Sequence, residues 1–339
     1  MTKRNFLLAS LLALICFGVA NVLMAKWSNR TPARRKVEYI HNAKGANVVL
    51  IGNSLLDGAV LPTVFADTAK ASARPANLSE LNAALGACEP PEQYLLFRLA
   101  ERDARIPMVV IGFFDFQLTK TTVTKTSDLT GNRALSFDPR IDAKDAESIY
   151  HFTGLDRLEF RVFRTLPLLG YRSQTWKYVE LLRRALSQIG TVAEASNSWG
   201  RVSDFNALEA PDIKSFNRQA DRFTNAAFAL NEPIQRIVSE SNAHNYQLIF
   251  LLMPISPFHR ANFYAQRSWR IYLDGLKRWA STHKIAFIDA SEWFLSEEDF
   301  GDRLHLASKS HYSFTRRLAS TIASLSGEAP LAAVTRPGK

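Results

Sequence analysis

Short apolar runs alternate with amphipathic segments along most of the chain after residue 45. Largely apolar runs lie at 46–51 (ANVVLI), 108–112 (MVVIG), 247–253 (QLIFLLM) and 285–289 (IAFID), and the first is rich in β-branched residues. Such runs predict strands that are buried on both faces. Apolar residues recur at helical spacing over 55–71, 91–102, 174–186, 213–243, 266–283 and 308–325. The alternation predicts an α/β fold, a three-layer parallel sheet with helices on both faces.

A long segment between the second and third predicted strands has no comparable run. We predict a mainly helical insertion there, at about 116–245, inside a domain that spans 46–325. Its aromatic residues are expected to form a core for the insertion rather than an acyl-chain groove; they are Phe152, Phe160, Phe163, Trp176 and Tyr178. Residues 326–339, which include two prolines, are predicted to be a disordered tail.

The N-terminus carries a different pattern, because the 20 residues of segment 6–25 hold no formal charge. A helix of this length spans about 30 Å of hydrocarbon, so we predict a signal-anchor or transmembrane helix over 1–25. A cleaved signal peptide and a buried core helix are the alternatives. The sequence gives cleavage only weak support, since Leu23 is a large residue where processing prefers a small one.

The positive charge of the chain is concentrated near the predicted span. Lys and Arg number 42 against 32 Asp and Glu, a net charge of +10, and +7 of it lies in residues 1–45. Segment 26–45 is therefore predicted to be a basic juxtamembrane linker, whose residues 26–44 lie on anionic lipid headgroups. The rest of the chain is close to neutral for its size. Lys and Arg are not spread over the domain with interleaved aromatics, so we predict no nucleic-acid partner.

The orientation of the predicted span is open on charge alone. More Lys and Arg follow the span than precede it, which favours a cytoplasmic body under the positive-inside rule. The short tail before residue 6, however, resembles the start of a signal peptide, and long domains translocate largely regardless of charge. Only Cys88 lies outside the span, so no internal disulfide can form there. Cysteine usage therefore does not indicate on which side of the membrane the body lies. We expect a single-pass protein of the inner (cytoplasmic) membrane with a periplasmic body.

A candidate nucleophile follows the first predicted strand, in the run Gly52-Asn53-Ser54. A serine just past a buried strand lies at the edge of a parallel sheet where ligands bind. If it opens a helix, the N-terminal amides can stabilise negative charge on an attacked carbonyl oxygen. The alternative is that Ser54 only caps that helix.

A candidate base and its partner follow the last predicted strand. Asp302 and His305 form an Asp-x-x-His turn before the last helix. A serine nucleophile needs a base that titrates near neutrality, and the base needs a group that fixes its tautomer. An aspartate helix cap beside a surface histidine is the simpler interpretation of the pair.

Together these motifs resemble the SGNH (GDSL-type) serine hydrolases and acyltransferases. The first family block, Gly-Asp-Ser or a variant, is similar to Gly52-Asn53-Ser54, and the last block, Asp-x-x-His, is similar to Asp302 and His305. The run after His305 also looks like the family's, with Ser310 in place of a glycine. The resemblance covers 46–112 and 247–325. It implies an SGNH or flavodoxin-like sheet with Ser54, Asp302 and His305 as catalytic residues.

The resemblance also implies an oxyanion hole, and here the sequence departs from the family. Gly86 matches the second-block glycine, and its N–H would join that of Ser54. The third block should read Gly-x-Asn-Asp, but Phe114 stands where the asparagine would donate. Either the amides of Ser54 and Gly86 suffice, Asn53 substitutes as a donor, or catalysis is slow or altered. Irregular third blocks are familiar in membrane-anchored envelope members of the superfamily.

Four further residues are predicted to line the pocket: Asp57, Phe114, Asp115 and His259. His259 is an alternative base, but it has no acid beside it in sequence. The seven histidines show no His-Glu-x-x-His spacing and the two cysteines are not paired, so we predict no metal. No glycine-rich phosphate loop is present, and no cofactor is expected.

The sequence thus predicts a serine-dependent ester hydrolase that works through an acyl-enzyme. The expected substrate is an acylated carbohydrate of the cell envelope or a small ester, and an envelope acyl-transfer complex is a candidate partner. An O-acyltransferase that modifies an envelope polysaccharide uses the same acyl-enzyme and stays open. A non-catalytic relative that binds glycan or acts as a scaffold also stays open, because the third-block asparagine is missing.

Overall fold

The computed structural model describes residues 3–72, 76–103, 107–121, 123–171, 212–225 and 228–326. Contacts divide the chain into two compact units, one formed by Met1–Asn42 and Thr122–Ser196 and the other by Ala43–Thr121 and Asn197–Lys339. We call the first the anchor unit and the second the sheet unit. This division differs from the predicted domains, because the first part of the predicted insertion clusters with the N-terminal helices. The predicted helix at 174–186 and the tail at 327–339 lie outside the described residues.

The sheet unit is built on five parallel strands in the order β2-β1-β3-β4-β5. They are β1 (Val48–Ile51), β2 (Glu80–Asn82), β3 (Met108–Phe113), β4 (Gln247–Leu252) and β5 (Ala286–Asp289). Every residue of β1, β2 and β3 is buried. Because successive strand residues point to opposite faces, both faces of the sheet are covered, and the predicted α/β fold is confirmed.

Helices of the sheet unit connect and cover these strands. They are α3 (Pro62–Ala71), α4 (Pro90–Asp103), α8 (Ile213–Asn225), α9 (Glu232–Ala243), α10 (Arg267–Thr282) and α11 (Ser308–Ser326). Short helical segments cover Pro257–His259, Arg260–Tyr264 and Glu297–Asp299. In space, α3 packs on α11, α4 on α9, and α8 on α10.

The anchor unit is helical throughout its described part. It contains α1 (Lys3–Ser28), α2 (Pro32–Asn42), α5 (Ala143–Ile149), α6 (Gly154–Thr165) and α7 (Pro167–Gly170), with 3-10 helices at Thr126–Asp128 and Gly131–Phe137. One helix of the described chain, α1, is long and apolar enough to cross a membrane, and no residue of its most apolar stretch is buried inside the protein. Residues 26–42, predicted as a linker, are largely helical, and α2 packs against the 3-10 helix Gly131–Phe137.

A buried charge cluster joins the two parts of the anchor unit. Asp138 is fully buried, with its carboxylate 3.4 Å from the Arg34 guanidinium and 2.9 Å from that of Arg140. Arg34 also donates to the Tyr171 hydroxyl at 3.1 Å. Arg34, one of the basic residues expected on lipid, is therefore held inside the protein.

Two predicted helices have different bounds in the structure. The helix predicted over 55–71 begins only at Pro62, since Gly58 adopts a φ of +82° and the turns before it do not continue as a helix. The helix predicted over 213–243 is two helices, α8 and α9. Asn231 caps α9 by accepting the Ile234 N–H at 3.1 Å. Strand β2 was not predicted.

Candidate active site

The candidate residues lie in loops at the carboxyl edge of the sheet. Ser54 follows β1, Asp115 follows β3, and His259 follows β4, while Asp302 and His305 come after β5. The strand order reverses between β1 and β3, where crevices for ligands form in open parallel sheets. Two glycines make this point compact: a Cβ on Gly52 would lie 3.0 Å from the Gly112 carbonyl oxygen, and a Cβ on Gly112 would lie 2.9 Å from the Leu56 side chain.

Ser54 sits in a turn and not at a helix N-terminus, which corrects the expectation from sequence. The Asn53 carbonyl accepts the N–H groups of Leu56 at 3.1 Å and Asp57 at 2.9 Å. The Asn53 side-chain oxygen accepts the Leu55 N–H at 2.9 Å. A tight turn anchored on Asn53 therefore positions the serine, and a helix macrodipole does not act on it.

A chain of hydrogen bonds runs through Ser54, His305 and Asp302. His305 Nε2 lies 2.8 Å from Ser54 Oγ, and His305 Nδ1 lies 2.7 Å from Asp302 Oδ2. With the Nδ1 proton donated to the carboxylate, Nε2 is free to accept the serine proton. The structure thus brings together three residues that are up to 251 positions apart.

The loop that carries Asp302 and His305 is closed on itself. Gly301 N–H donates to the His305 carbonyl at 2.8 Å, and Ala307 N–H donates to the Asp299 carbonyl at 2.8 Å. Ser310, at the position where the family that the motifs resemble has a glycine, directs its buried hydroxyl to the Asp299 carboxylate at 3.2 Å. These bonds close the loop on itself and hold the backbone that carries His305.

Asp302 is tuned to remain ionised. Partial burial acts to raise the pKa of its carboxyl group, but hydrogen bonds from the His305 ring and from the N–H groups of His305 and Leu304 outweigh that effect. The two backbone bonds are both 2.7 Å long. The pKa of Asp302 therefore lies below its usual value, and the carboxylate is charged across the physiological range.

The three predicted oxyanion donors differ in whether a hydrogen bond already uses them. Within the described chain, no hydrogen bond uses the Ser54 backbone N–H or the Asn53 side-chain NH₂. The Gly86 N–H, in contrast, donates to Asp57 Oδ2 at 3.0 Å. Gly86 and Asp57, both predicted near the site, are therefore bonded to each other. The Gly86 N–H already donates to a carboxylate in this structure.

Asp115 and His259 form a second acid–imidazole pair. Asp115 Oδ1 lies 2.9 Å from His259 Nε2, and the Asp115 N–H donates to the Tyr264 hydroxyl at 3.1 Å. Asp115 adopts a φ of +47°, a strained region for a residue with a side chain. His259 thus faces Asp115, while the histidine against the serine is His305. The Phe114 N–H donates to the Gln117 side chain at 3.2 Å.

Ser256 is a site residue that sequence reasoning missed. Its fully buried hydroxyl donates to the Arg303 carbonyl at 2.5 Å and accepts the His259 N–H at 3.2 Å. The Arg303 guanidinium also stacks 4.0 Å from the centroid of the Phe258 ring. The loop after β4 therefore holds the loop that carries His305. The available signal was a serine between Pro254 and Pro257, in the loop that follows β4.

One cluster outside the sheet edge has metal-ligand chemistry. Ligand atoms of Glu101, Glu240 and His244 lie within 4.8 Å of one another. The Arg98 guanidinium forms ion pairs with both carboxylates, including one at 3.5 Å to Glu240. Because Arg98 already supplies the positive charge, the geometry fits an ion-pair network on the surface of α4 and α9.

Comparisons with known proteins complete the description. No protein-family model and no curated protein matches the chain. One similar solved structure is described as an acylhydrolase from Bacteroides fragilis, with 14% identity and a TM-score of 0.39, covering 88% of this chain and 98% of that one. Another is a GDSL-like lipase from Bacteroides thetaiotaomicron, with 11% identity and a TM-score of 0.37, covering 87% and 98%.

A third similar structure is described as a lipolytic protein of the G-D-S-L family from Desulfitobacterium hafniense. It is 11% identical, with a TM-score of 0.34, and the match covers 82% of this chain and 99% of that one. The second and third descriptions name GDSL-type proteins, and the first names an acylhydrolase. At these identities and scores, the geometry of the site carries the argument about activity.

Proposed function

We propose that this protein is an SGNH-type serine hydrolase that cleaves acyl esters through an acyl-enzyme. The observation that carries the proposal is the continuous hydrogen-bond chain from Asp302 through His305 to Ser54. A serine, a histidine and an ionised carboxylate in this order form the catalytic arrangement of hydrolases with unrelated folds, so geometry identifies it better than sequence position does.

In the first half-reaction, Ser54 Oγ forms a bond to the ester carbonyl carbon as its proton moves to His305 Nε2. Asp302 stabilises the resulting imidazolium through Nδ1–H. When the tetrahedral intermediate collapses, its bond to the alcohol oxygen breaks, and His305 Nε2 returns the proton to the leaving alcohol. Ser54 is left as an ester of the acyl group.

In the second half-reaction, His305 takes a proton from water as the water oxygen bonds to the acyl carbon. The carboxylic acid leaves, and the proton on Nε2 returns to Ser54 Oγ. If a sugar hydroxyl replaces water, the same steps transfer the acyl group to that sugar. The two reactions differ in which nucleophile the pocket admits.

The negative oxygen of each intermediate needs donors, and we propose the Ser54 N–H and the Asn53 side-chain NH₂ for this role. Neither group has another acceptor within the described residues. Gly86 contributes only if Asp57 releases its N–H. Asn53 then performs the function that the third-block asparagine has in relatives, which accounts for Phe114 at that position.

A fluorophosphonate probe tests the proposal, because it reacts with an activated serine irrespective of the natural acyl group. We expect the full-length protein to be labelled and Ser54→Ala to be unlabelled, with Ser281→Ala, at an exposed serine of α10, as a control that retains labelling. A folded wild-type protein that is not labelled would instead favour a non-catalytic, glycan-binding role.

The second substrate is tested by hydrolysis of p-nitrophenyl acetate with and without an added sugar acceptor. Release of acetate as the main product supports a hydrolase, whereas acetylated sugar supports the O-acyltransferase alternative. We propose an acylated envelope carbohydrate as the natural substrate, on the basis of the sequence resemblance and the membrane-spanning character of α1.

The same resemblance leads us to propose α1 as a single-pass anchor in the inner membrane with the sheet unit in the periplasm. An alkaline-phosphatase reporter fused after Lys44 tests this orientation, since the reporter is active only outside the cytoplasm. An inactive fusion would place the catalytic residues in the cytoplasm and remove the periplasmic substrate from consideration.

A further inference from the structure

Helix α6 of the anchor unit has an exposed apolar stripe. Leu155, Leu158 and Val162 are 83%, 59% and 37% exposed. Their spacing of three and four residues places them on one side of the helix. The stripe runs along most of the length of α6, unlike the single exposed leucines that any soluble surface carries.

The opposite side of α6 is firmly held by protein. Phe160 and Phe163 are buried, with ring centroids 5.7 Å and 5.9 Å from that of Phe137. Near the C-terminal end of α6, the Arg164 guanidinium donates to the carbonyls of Ser136 at 3.3 Å and Pro139 at 3.0 Å. The helix therefore cannot turn its stripe inward without breaking this core.

The next helix, α7, connects α6 to the apolar segment of α1. It packs against α1, and the Leu168 N–H donates to the Asn21 side-chain oxygen at 3.1 Å. Asn21 lies four residues before Ala25, the end of the uncharged run, which is about 6 Å along a helix axis. With α1 in a bilayer, α7 therefore lies at the level where hydrocarbon meets headgroups.

We propose that α6 lies in the plane of the membrane surface, with Leu155, Leu158 and Val162 inserted at the headgroup–acyl boundary of the bilayer that α1 spans. Amphipathic helices with an apolar stripe and basic flanking residues occupy this zone. The connection through α7 commits the stripe to lipid rather than to another protein, because it fixes one end of α6 at that depth.

The charges beside the stripe fit a headgroup environment. Arg157 and Arg161 are neighbours of the stripe on the helix, and their side chains are 49% and 61% exposed. Both pair with Glu147, whose side chain is 8% exposed, so the carboxylate holds one edge of each guanidinium while the side chains stay partly exposed. Lys26, Arg30 and Arg35 of the same unit are also exposed.

The test places one fluorescent label at a time on α6 of the full-length protein. Cys16→Ser and Cys88→Ala give a cysteine-free background, whose circular dichroism is compared with that of the wild type. Leu155→Cys, Leu158→Cys and Asp156→Cys are labelled with an environment-sensitive dye. Asp156 is exposed on another side of the same helix and is the matched control. The protein is reconstituted in phosphatidylcholine vesicles containing phosphatidylglycerol.

We expect the labels at 155 and 158 to emit at shorter wavelength than the label at 156. Shallow lipid-attached quenchers should quench them more strongly than deep ones, and aqueous iodide should quench them several-fold less than the control. Equal iodide quenching at all three positions would overturn the proposal. Iodide access at 155 alone would show a helix that stands away from the surface and would also overturn it. Shielding without lipid quenching would identify a protein partner instead.

Discussion

Two histidines lie at the carboxyl edge of the sheet, and their partners distinguish them. His305 contacts Ser54 Oγ, whereas His259 contacts the Asp115 carboxylate. We therefore predict that His305→Ala lowers the rate of fluorophosphonate labelling by about 10³-fold or more, because the serine loses its base. His259→Asn should retain most of the rate. The reverse result would make His259 the base.

The missing third-block asparagine leads to a second prediction at this scale. Asn53→Asp keeps the oxygen that accepts the Leu55 N–H and removes the NH₂ group. We expect kcat for p-nitrophenyl acetate to fall by about 10²–10³-fold, the usual effect of removing one oxyanion donor. KM should change little, since the donor acts on charge that develops in the transition state.

Phe114→Asn in the Asn53→Asp background is the matched control. It places an amide at the position that the family uses, so we expect partial recovery of kcat. If Asn53→Asp has wild-type kcat, Asn53 is only a turn residue and the backbone amides suffice.

The grouping of Ser54, His305 and Asp302 could be predicted from sequence, because each residue lies in a recognisable local pattern. Ser54 follows a buried strand and a glycine, and Asp302 and His305 share one short loop. The bond between Asp57 and the Gly86 N–H could not be predicted, since it joins two loops, 29 residues apart, and no sequence pattern links them. The Ser256 contact with Arg303, across 47 residues, was hidden for the same reason.

At the scale of elements, the close approach of β1 and β3 leads to a third prediction. A Cβ on Gly52 would meet the rigid Gly112 carbonyl at 3.0 Å, so the backbone just before Ser54 would have to move. We expect Gly52→Ala to reduce the free energy of unfolding by about 1–3 kcal/mol and to slow serine labelling. Chemical denaturation and labelling rate measure the two effects.

Gly275, inside α10, is the matched control, because its added Cβ would lie at an ordinary 3.6 Å from the Phe228 ring. Gly275→Ala should be neutral or should stabilise the protein by up to about 1 kcal/mol, with unchanged labelling. If both variants lose the same free energy of unfolding, the close approach of Gly52 to the Gly112 carbonyl has no special role.

The strands and helices differed in how well they could be predicted. β1, β3, β4 and β5 carry apolar runs, whereas β2 is the short segment Glu-Leu-Asn at the sheet edge and has none. The break between α8 and α9 depends on the Asn231 side chain, which accepts from the α9 N-terminus and also donates to the Gln117 carbonyl at 2.7 Å. Such tertiary contacts override the apolar period that the sequence displays.

At the scale of the whole molecule, the two units should differ in stability. Asp138→Asn leaves the Arg34 and Arg140 charges of the anchor unit uncompensated in a buried cluster. We expect a loss of about 3 kcal/mol, seen as a lower-temperature transition in thermal unfolding. Labelling of Ser54 before that transition should be unchanged, because Asp138 belongs to the other unit.

Exposed Asp156→Asn on α6 of the same unit is the control and should leave the transition in place. If Asp138→Asn instead shifts unfolding and labelling together, the chain unfolds as one cooperative body. The burial of Arg34 also shows why the division into an anchor unit and a sheet unit could not be predicted from sequence. Its charge suggested a lipid-facing tether, and only the fold brings Asp138, 104 positions further along the chain, next to it.

The bond between Asn21 and the Leu168 N–H has a consequence for biosynthesis. Its two residues are 147 positions apart, so a ribosome that adds 5–20 residues per second separates them by roughly 7–30 s. During that interval Asn21 is already part of the chain, while the helix that contains Leu168 does not yet exist. The polar amide of Asn21 must meanwhile rely on water or on the insertion machinery. Completion of the anchor unit therefore waits for residues synthesised after β1, β2 and β3.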